Sequence, residues 1–228
     1  MPQAEEIKDA GTSLARQDSQ LSLYGNIMFE LRRRVEWIGH VLAGRTELEA
    51  HLAQEFCLLQ LRFACELLAL ACLVAHGDIE ETRTPKYRKQ WHAAAILDGL
   101  ERLNAAFFPV PVRQERALLQ VEGAHVEGWH FAEVEEPFLK KPDITRLYGQ
   151  LGEALHRGSV GRLAQSKARY AGRLEAIHRD ANALIKLLSI HRMELVTGEQ
   201  FICMLKDDSG QVSTFVGKRI GDASARLA

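Results

Sequence analysis

The sequence predicts a mainly α protein: a helical bundle around one long central apolar helix, with a small β-hairpin near the C-terminus. Three observations lead there. Apolar residues recur at spacings of three and four along most of the chain, the period of a helix with one buried face. Residues 56–75 are apolar at almost every position. Two β-type runs, FICML and VSTFV, flank KDDSGQ, whose glycine suits a hairpin turn. With 228 residues, 46% of them hydrophobic, the chain is long enough to bury a core without covalent staples. The expected organisation is a flexible N-terminal arm over residues 1–20, a helical bundle over 21–195, and a hairpin with a tail over 196–228.

Residues 21–43 form the first expected helix, with Ile27, Met28, Leu31, Val35, Ile38 and Leu42 on one face. The neighbouring Arg32, Arg33 and Arg34 read as a solvated face. Thr46 and Glu49 have the spacing of a capping box, and from there a helix is expected to run to His76, with Gly77 as its stop. A membrane span needs about twenty apolar residues free of charge. Gln60, Arg62 and Glu66 interrupt this one, so it is expected to be a buried bundle helix and no membrane is expected. Arg62 and Glu66, one turn apart, should face each other as an ion pair.

After an acidic loop at 77–85, Trp91, Ala95, Ile96, Leu100 and Leu103 give a third helix ending near Asn104. Residues 107–142 alternate only partly and read as short strands or irregular structure. Asp143 is a plausible N-cap for a helix through Leu147, Leu151 and Leu155 to His156, closed by Gly158. The last helix, about 169–192, should bury Leu174, Ile177, Ala181, Leu184 and Leu188, with His191 on the same stripe.

Net charge is −1, which excludes the globally basic character of a dedicated duplex-DNA binder. The first twenty residues mix both charges without an apolar run, unlike a secretory or transit leader. Cys57, Cys65 and Cys72 lie seven or eight residues apart in one helix, out of reach of one another, and read with Cys203 as reduced, buried thiols. A cytoplasmic protein is therefore expected. No phosphate loop, dinucleotide glycine pattern, nucleophile elbow or helical zinc signature occurs, so no cofactor and no metal is expected. His125, Glu127 and His130 form H-x-E-x-x-H in an irregular region without the fixed spacing of a helical metal motif.

The strongest local charge lies between His156 and Asp180. Arg157, Arg162, Lys167, Arg169, Arg173 and Arg179 face only Glu175 and Asp180, an excess of about four positive charges. Such a stretch suits nucleic-acid phosphates, with Tyr170 placed to stack on a base. The other reading is a solvated face balancing the acidic segments at 78–81 and 122–136.

The run ITRLYGQLGEALHRG at 144–158, with Tyr148, Leu151 and His156 in a Y-x-x-L-x-x-x-x-H pattern, resembles the later helices of HEPN-like helical proteins. The upstream CLLQLRFACELLALACLVAHGD is similar to that superfamily's uncharacterised bacterial and phage branch, over about residues 25–192. The resemblance implies a helical, RNA-associated protein of defence or toxin-type systems. Active members of the superfamily are metal-independent ribonucleases in which two protomers join the Arg and His of an R-x(4–6)-H motif. There His serves as general acid or base and Arg steadies the phosphorane-like charge. No arginine stands at that spacing before His156, whereas Arg173 and His178 satisfy it, as do Arg34 and His40. Three readings follow: a catalytically degenerate or uncertain helical protein that engages RNA or another protein, a ribonuclease using Arg173 and His178 or else His156 with an arginine from a partner chain, or a structural or adaptor module that dimerises through its helices.

Overall fold

Helix α2 (Ala50–Ala75) is the hub, because a 26-residue segment with so few polar positions must be covered by several partners at once. The structure, a computed structural model, describes residues 3–121, 124–156, 173–218 and 223–226. Cys57, Leu61, Ala64, Cys65, Leu68, Ala71 and Cys72 are buried along α2. Around it pack α1 (Gln3–Leu42), α4 (Ala93–Leu103), α5 (Lys141–Leu155) and α6 (Arg173–Leu188). A 3-10 turn (Glu80–Arg83) and the one-turn α3 (Pro85–Arg88) lie in the segment read as an acidic loop. Among the described residues one helix, α2, is long and apolar enough to cross a membrane, yet half of its apolar window is buried inside the fold. That burial is consistent with a soluble protein.

The sheet corrects the predicted fold class. The protein is α+β, 57% helical and 19% strand, rather than mainly α with a terminal hairpin. Strands β1 (Val110–Val121), β2 (Ala124–Glu133), β3 (Ile190–Glu194), β4 (Gln200–Met204) and β5 (Ser213–Gly217) form one antiparallel sheet in the order β2-β1-β3-β4-β5. Strand β6 (Ala223–Arg226) also pairs with β1. The segment read as short strands or irregular structure is thus a long hairpin, registered from Val112↔Glu133 to Val121↔Ala124. The expected terminal hairpin exists, with Gly210 at φ 82° in its connection, but β4 spends its other edge on β3. Between β2 and β5 lie three strands, about 19 Å across in a flat sheet. Yet Phe131 on β2 and Phe215 on β5 bring their rings to 5.9 Å, so the sheet curls nearly onto itself.

Helix α1 is longer than expected, 40 residues, and it fastens the helices to the sheet. Tyr24 stacks on Phe201 of β4 at 4.6 Å, and Arg32 donates to the carbonyls of Leu205 (2.8 Å) and Gly210 (2.9 Å). Other expectations need correction. At the start of α2 the cap residue is Glu49 with no side-chain bond, so the Thr46–Glu49 capping box does not form. Trp91 precedes α4 and is 69% exposed. Asp143 sits inside α5, where its carboxylate accepts from the Lys140 backbone N–H at 3.0 Å. The last helix stops at Leu188, so His191 is a strand residue.

Gly99 of α4 is required by packing. A Cβ there would lie 2.8 Å from Tyr87 Cε1 and 2.9 Å from its Oη. Gly99→Ala in a free helix would gain about 1 kcal/mol. Against the largely buried Tyr87 ring, overpacking costs about 1–3 kcal/mol, so net destabilisation is expected. A lowered denaturant midpoint checks this; a raised one shows that Tyr87 yields freely.

Candidate functional site

Of the residues singled out in the sequence, Arg62, Glu66 and Tyr148 are the ones the fold assembles. Positions 62 and 66 share a face of α2, and Arg62 Nε lies 3.3 Å from Glu66 Oε1 with both side chains about a quarter exposed. That is the expected ion pair. Against it α5 sets Tyr148, whose position among Ile144, Leu147 and Leu151 follows the helical period of its buried face. Arg62 Nη2 donates to Tyr148 Oη at 2.8 Å while the guanidinium lies 4.2 Å from the ring centroid. His92, at the N-cap of α4, meets the same ring edge-on at 5.2 Å. Gly152 completes the site: one turn past Tyr148, any Cβ there would collide with Arg62 Nη1.

The electrostatics mark a clamp rather than a reactive centre. Burial pushes the Tyr148 phenol upward; Arg62 opposes this, and Glu66 adds to it by charge and by hydrogen bonding. Tyr148 therefore stays protonated, and Arg62 divides its donors between a carboxylate and a phenol. Three helices, α2, α4 and α5, are pinned at one point. Nothing in the sequence linked Arg62 to a tyrosine 86 positions away.

The predicted catalytic residues do not converge. His156 is the C-cap of α5 and exposed, its backbone N–H bonded to the Gly152 carbonyl at 3.2 Å. Arg173 opens α6. His178 is exposed, with Nε2 3.1 Å from Asn182 Nδ2. Five helical steps from Arg173 to His178 rotate the side chain by about 140°, so the two point away from each other. Arg34, of the other Arg–His match, is engaged by Glu30 and by Gln60 at 2.8 Å. The predicted nucleic-acid contacts Arg157, Arg162, Lys167, Arg169 and Tyr170 lie outside the described residues.

His125, Glu127 and His130 fall on β2, where alternate residues face opposite sides. His125 and Glu127 therefore share one face and His130 takes the other. Among the described residues no group of three His, Cys, Asp or Glu is placed to hold a metal ion. The four cysteines are free and buried. Burial pushes the thiols up, Cys57 to about 11 and Cys65 to about 12, so none is a poised nucleophile.

A second buried polar group escaped the sequence reading. Tyr24 Oη lies 2.6 Å from His191 Nε2, and His191 Nδ1 lies 3.0 Å from the Leu188 carbonyl. Both residues are wholly buried. The carbonyl requires N–H at Nδ1, so Nε2 is the acceptor and the tyrosine hydroxyl donates. Compared with family models, with curated proteins and with solved structures, the chain matches none of them.

Proposed function

We propose that this protein is a non-catalytic, RNA-associated module of the cytoplasm, of the kind that its resemblance to HEPN-like proteins implies for defence or toxin-type systems. The observation that carries the reading is the dispersal of the Arg–His candidates: Arg173 and His178 diverge on α6, and His178 is bonded to Asn182. General acid–base work on a phosphodiester needs both groups within reach of one phosphate, so a ribonuclease would have to join Arg173 of one copy to His178 of another. What remains is a cation-rich stretch, residues 157–172, with Arg157, Arg162, Lys167 and Arg169 and no acidic residue. In the sequence it lies between α5 and α6, which both pack on α2. Buried, unpaired thiols fit a reducing compartment.

The test is titration of the full chain with a labelled single-stranded RNA at several salt concentrations, in EDTA. Binding is expected to weaken with salt along a log–log slope of about −3, as four phosphate contacts on a single strand imply. Arg162→Ala with Lys167→Ala should reduce that slope by about half. Cleavage of the RNA that vanishes in His178→Ala would instead establish the ribonuclease. Salt-insensitive or absent binding would remove the RNA reading.

A further inference from the structure

We propose that the outer face of the α1–α2 hairpin is the contact by which two copies of this chain pair, as a four-helix layer. The argument is independent of RNA binding. Helix α2 carries an 18-residue window of mean hydropathy 1.9, only half of it buried within the fold. The uncovered half is not scattered. Leu52, Phe56, Leu59, Phe63 and Leu70 recur at i, i+4, i+7, i+11 and i+18, a stripe opposite Leu61, Leu68 and Cys72 that Glu66 interrupts at i+14 and from which Phe56 and Leu70 also reach the core. Leu52 is 43% and Leu59 37% exposed, and the other three are half-buried.

Helix α1 extends the stripe sideways. Leu23, Glu30, Arg34 and Trp37 recur at i, i+7, i+11 and i+14, with Leu23 50% and Trp37 46% exposed. Arg34 joins the two helices on this side, donating to Gln60 Oε1 and lying 4.7 Å from the centroid of the Phe63 ring. The sheet holds α1 elsewhere, through Tyr24 and Arg32, and α5 holds α2 through Arg62. Two helices thus expose Leu23, Trp37, Leu52 and Leu59 on one side, around the Arg34–Glu30 pair.

Charge and size decide what covers it. The charges Glu30, Arg33, Arg34 and Glu36 of α1 and Arg62 and Glu66 of α2 lie on and beside it and cancel in pairs: Arg34 with Glu30, Arg33 with Glu36 at 2.7 Å and Arg62 with Glu66 at 3.3 Å. A nucleic acid or an anionic bilayer calls for net positive charge, and a strongly charged protein partner calls for the opposite of its own. A neutral, apolar face satisfies itself, as the two-fold contact of a homodimer requires. At 1.5 Å per residue the stripe is about 30 Å long, and two helix widths make about 20 Å, roughly 600 Å² per copy. Doubled, that reaches the lower end of the ~1,200–2,000 Å² buried in stable complexes.

Sedimentation equilibrium of the full chain tests the pairing. Twice the monomer mass of 25.6 kDa is expected at micromolar concentration. Leu59→Lys and, separately, Trp37→Glu are expected to weaken dimerisation at least 30-fold, a typical loss at a central interface residue. Both positions lie outside the core, so each variant should keep the wild-type circular dichroism. As a second measurement, a single cysteine at position 59 or 37 should cross-link two copies through a short bis-maleimide. A wild-type monomer at 100 µM protein, or a dimer untouched by both substitutions, overturns the proposal. So does flotation of wild-type chain, but not Leu59→Lys, with phosphatidylcholine vesicles, which assigns the face to lipid.

Discussion

At pH 4 the protein is expected to be about 3 kcal/mol less stable than at pH 7.5, with His191 responsible for most of the difference. Burial lowers the His191 ring from its ordinary 6.5 to about 4, the Leu188 carbonyl opposing weakly. Because the folded ring resists protonation, the unfolded chain binds a proton more readily between those values. Stability is therefore full above about pH 6.5 and is lost as the pH falls through 4. Beyond the Leu188 carbonyl the surroundings do little for the cation: Phe201, Cys203 and Cys72 lie around Tyr24, and Tyr24, itself pushed well above its ordinary value by burial, already donates to Nε2. Denaturant midpoints measured from pH 7.5 to 4 check this, and in His191→Gln the slope should flatten. Asp207 acts in a separate window. Hydrogen bonds from Ser213 and Ser209 lower it to about 2, so its contribution is lost only below the ordinary aspartate range. Tyr24→Phe is expected to cost about 1–3 kcal/mol at pH 7.5, since it leaves Nε2 buried without a donor. An unchanged midpoint in that variant would show that the bond contributes nothing.

Leu61→Ala is expected to destabilise the fold by about 2–5 kcal/mol, and Leu59→Ala, two residues away, by less than about 1 kcal/mol. The contrast follows from the helix period. Leu61 is wholly buried between α2 and its partners, so truncation leaves a cavity; Leu59 is 37% exposed on the opposite side. Urea unfolding of both variants in dilute solution measures the difference. Equal losses would mean that the outer stripe of α2 is covered within one chain, which would also sink the dimer face.

The helices were legible in the sequence because each declares itself locally. The stripe of Ile177, Ala181, Leu184 and Leu188 is visible to anyone counting in threes and fours. So was the Arg62–Glu66 pair, which needs only one helical turn. The sheet was not legible for two reasons. Residues 110–133 alternate poorly because β2 lies at an edge and shows mostly exposed residues, including Val126 and Trp129, along both faces. And β3 follows α6 after a single residue, so His191 prolongs the spacing of the helical stripe although the backbone has become a strand. R-x4-H counts residues along a chain, whereas a helix turns Arg173 and His178 about 140° apart.

By itself, the sequence determined the central stretches of the long helices, that α2 is the hub, and that the cysteines are buried thiols, since periodicity, composition and spacing are properties of neighbours along the chain. Only the tertiary structure decided the rest. Tyr24 meets His191 across 167 positions, Arg62 meets Tyr148 across 86, and the curl of the sheet brings Phe131 to Phe215. Each of these contacts depends on the packing of elements far apart in the chain, and no local pattern encodes which distant partner satisfies a buried donor or acceptor.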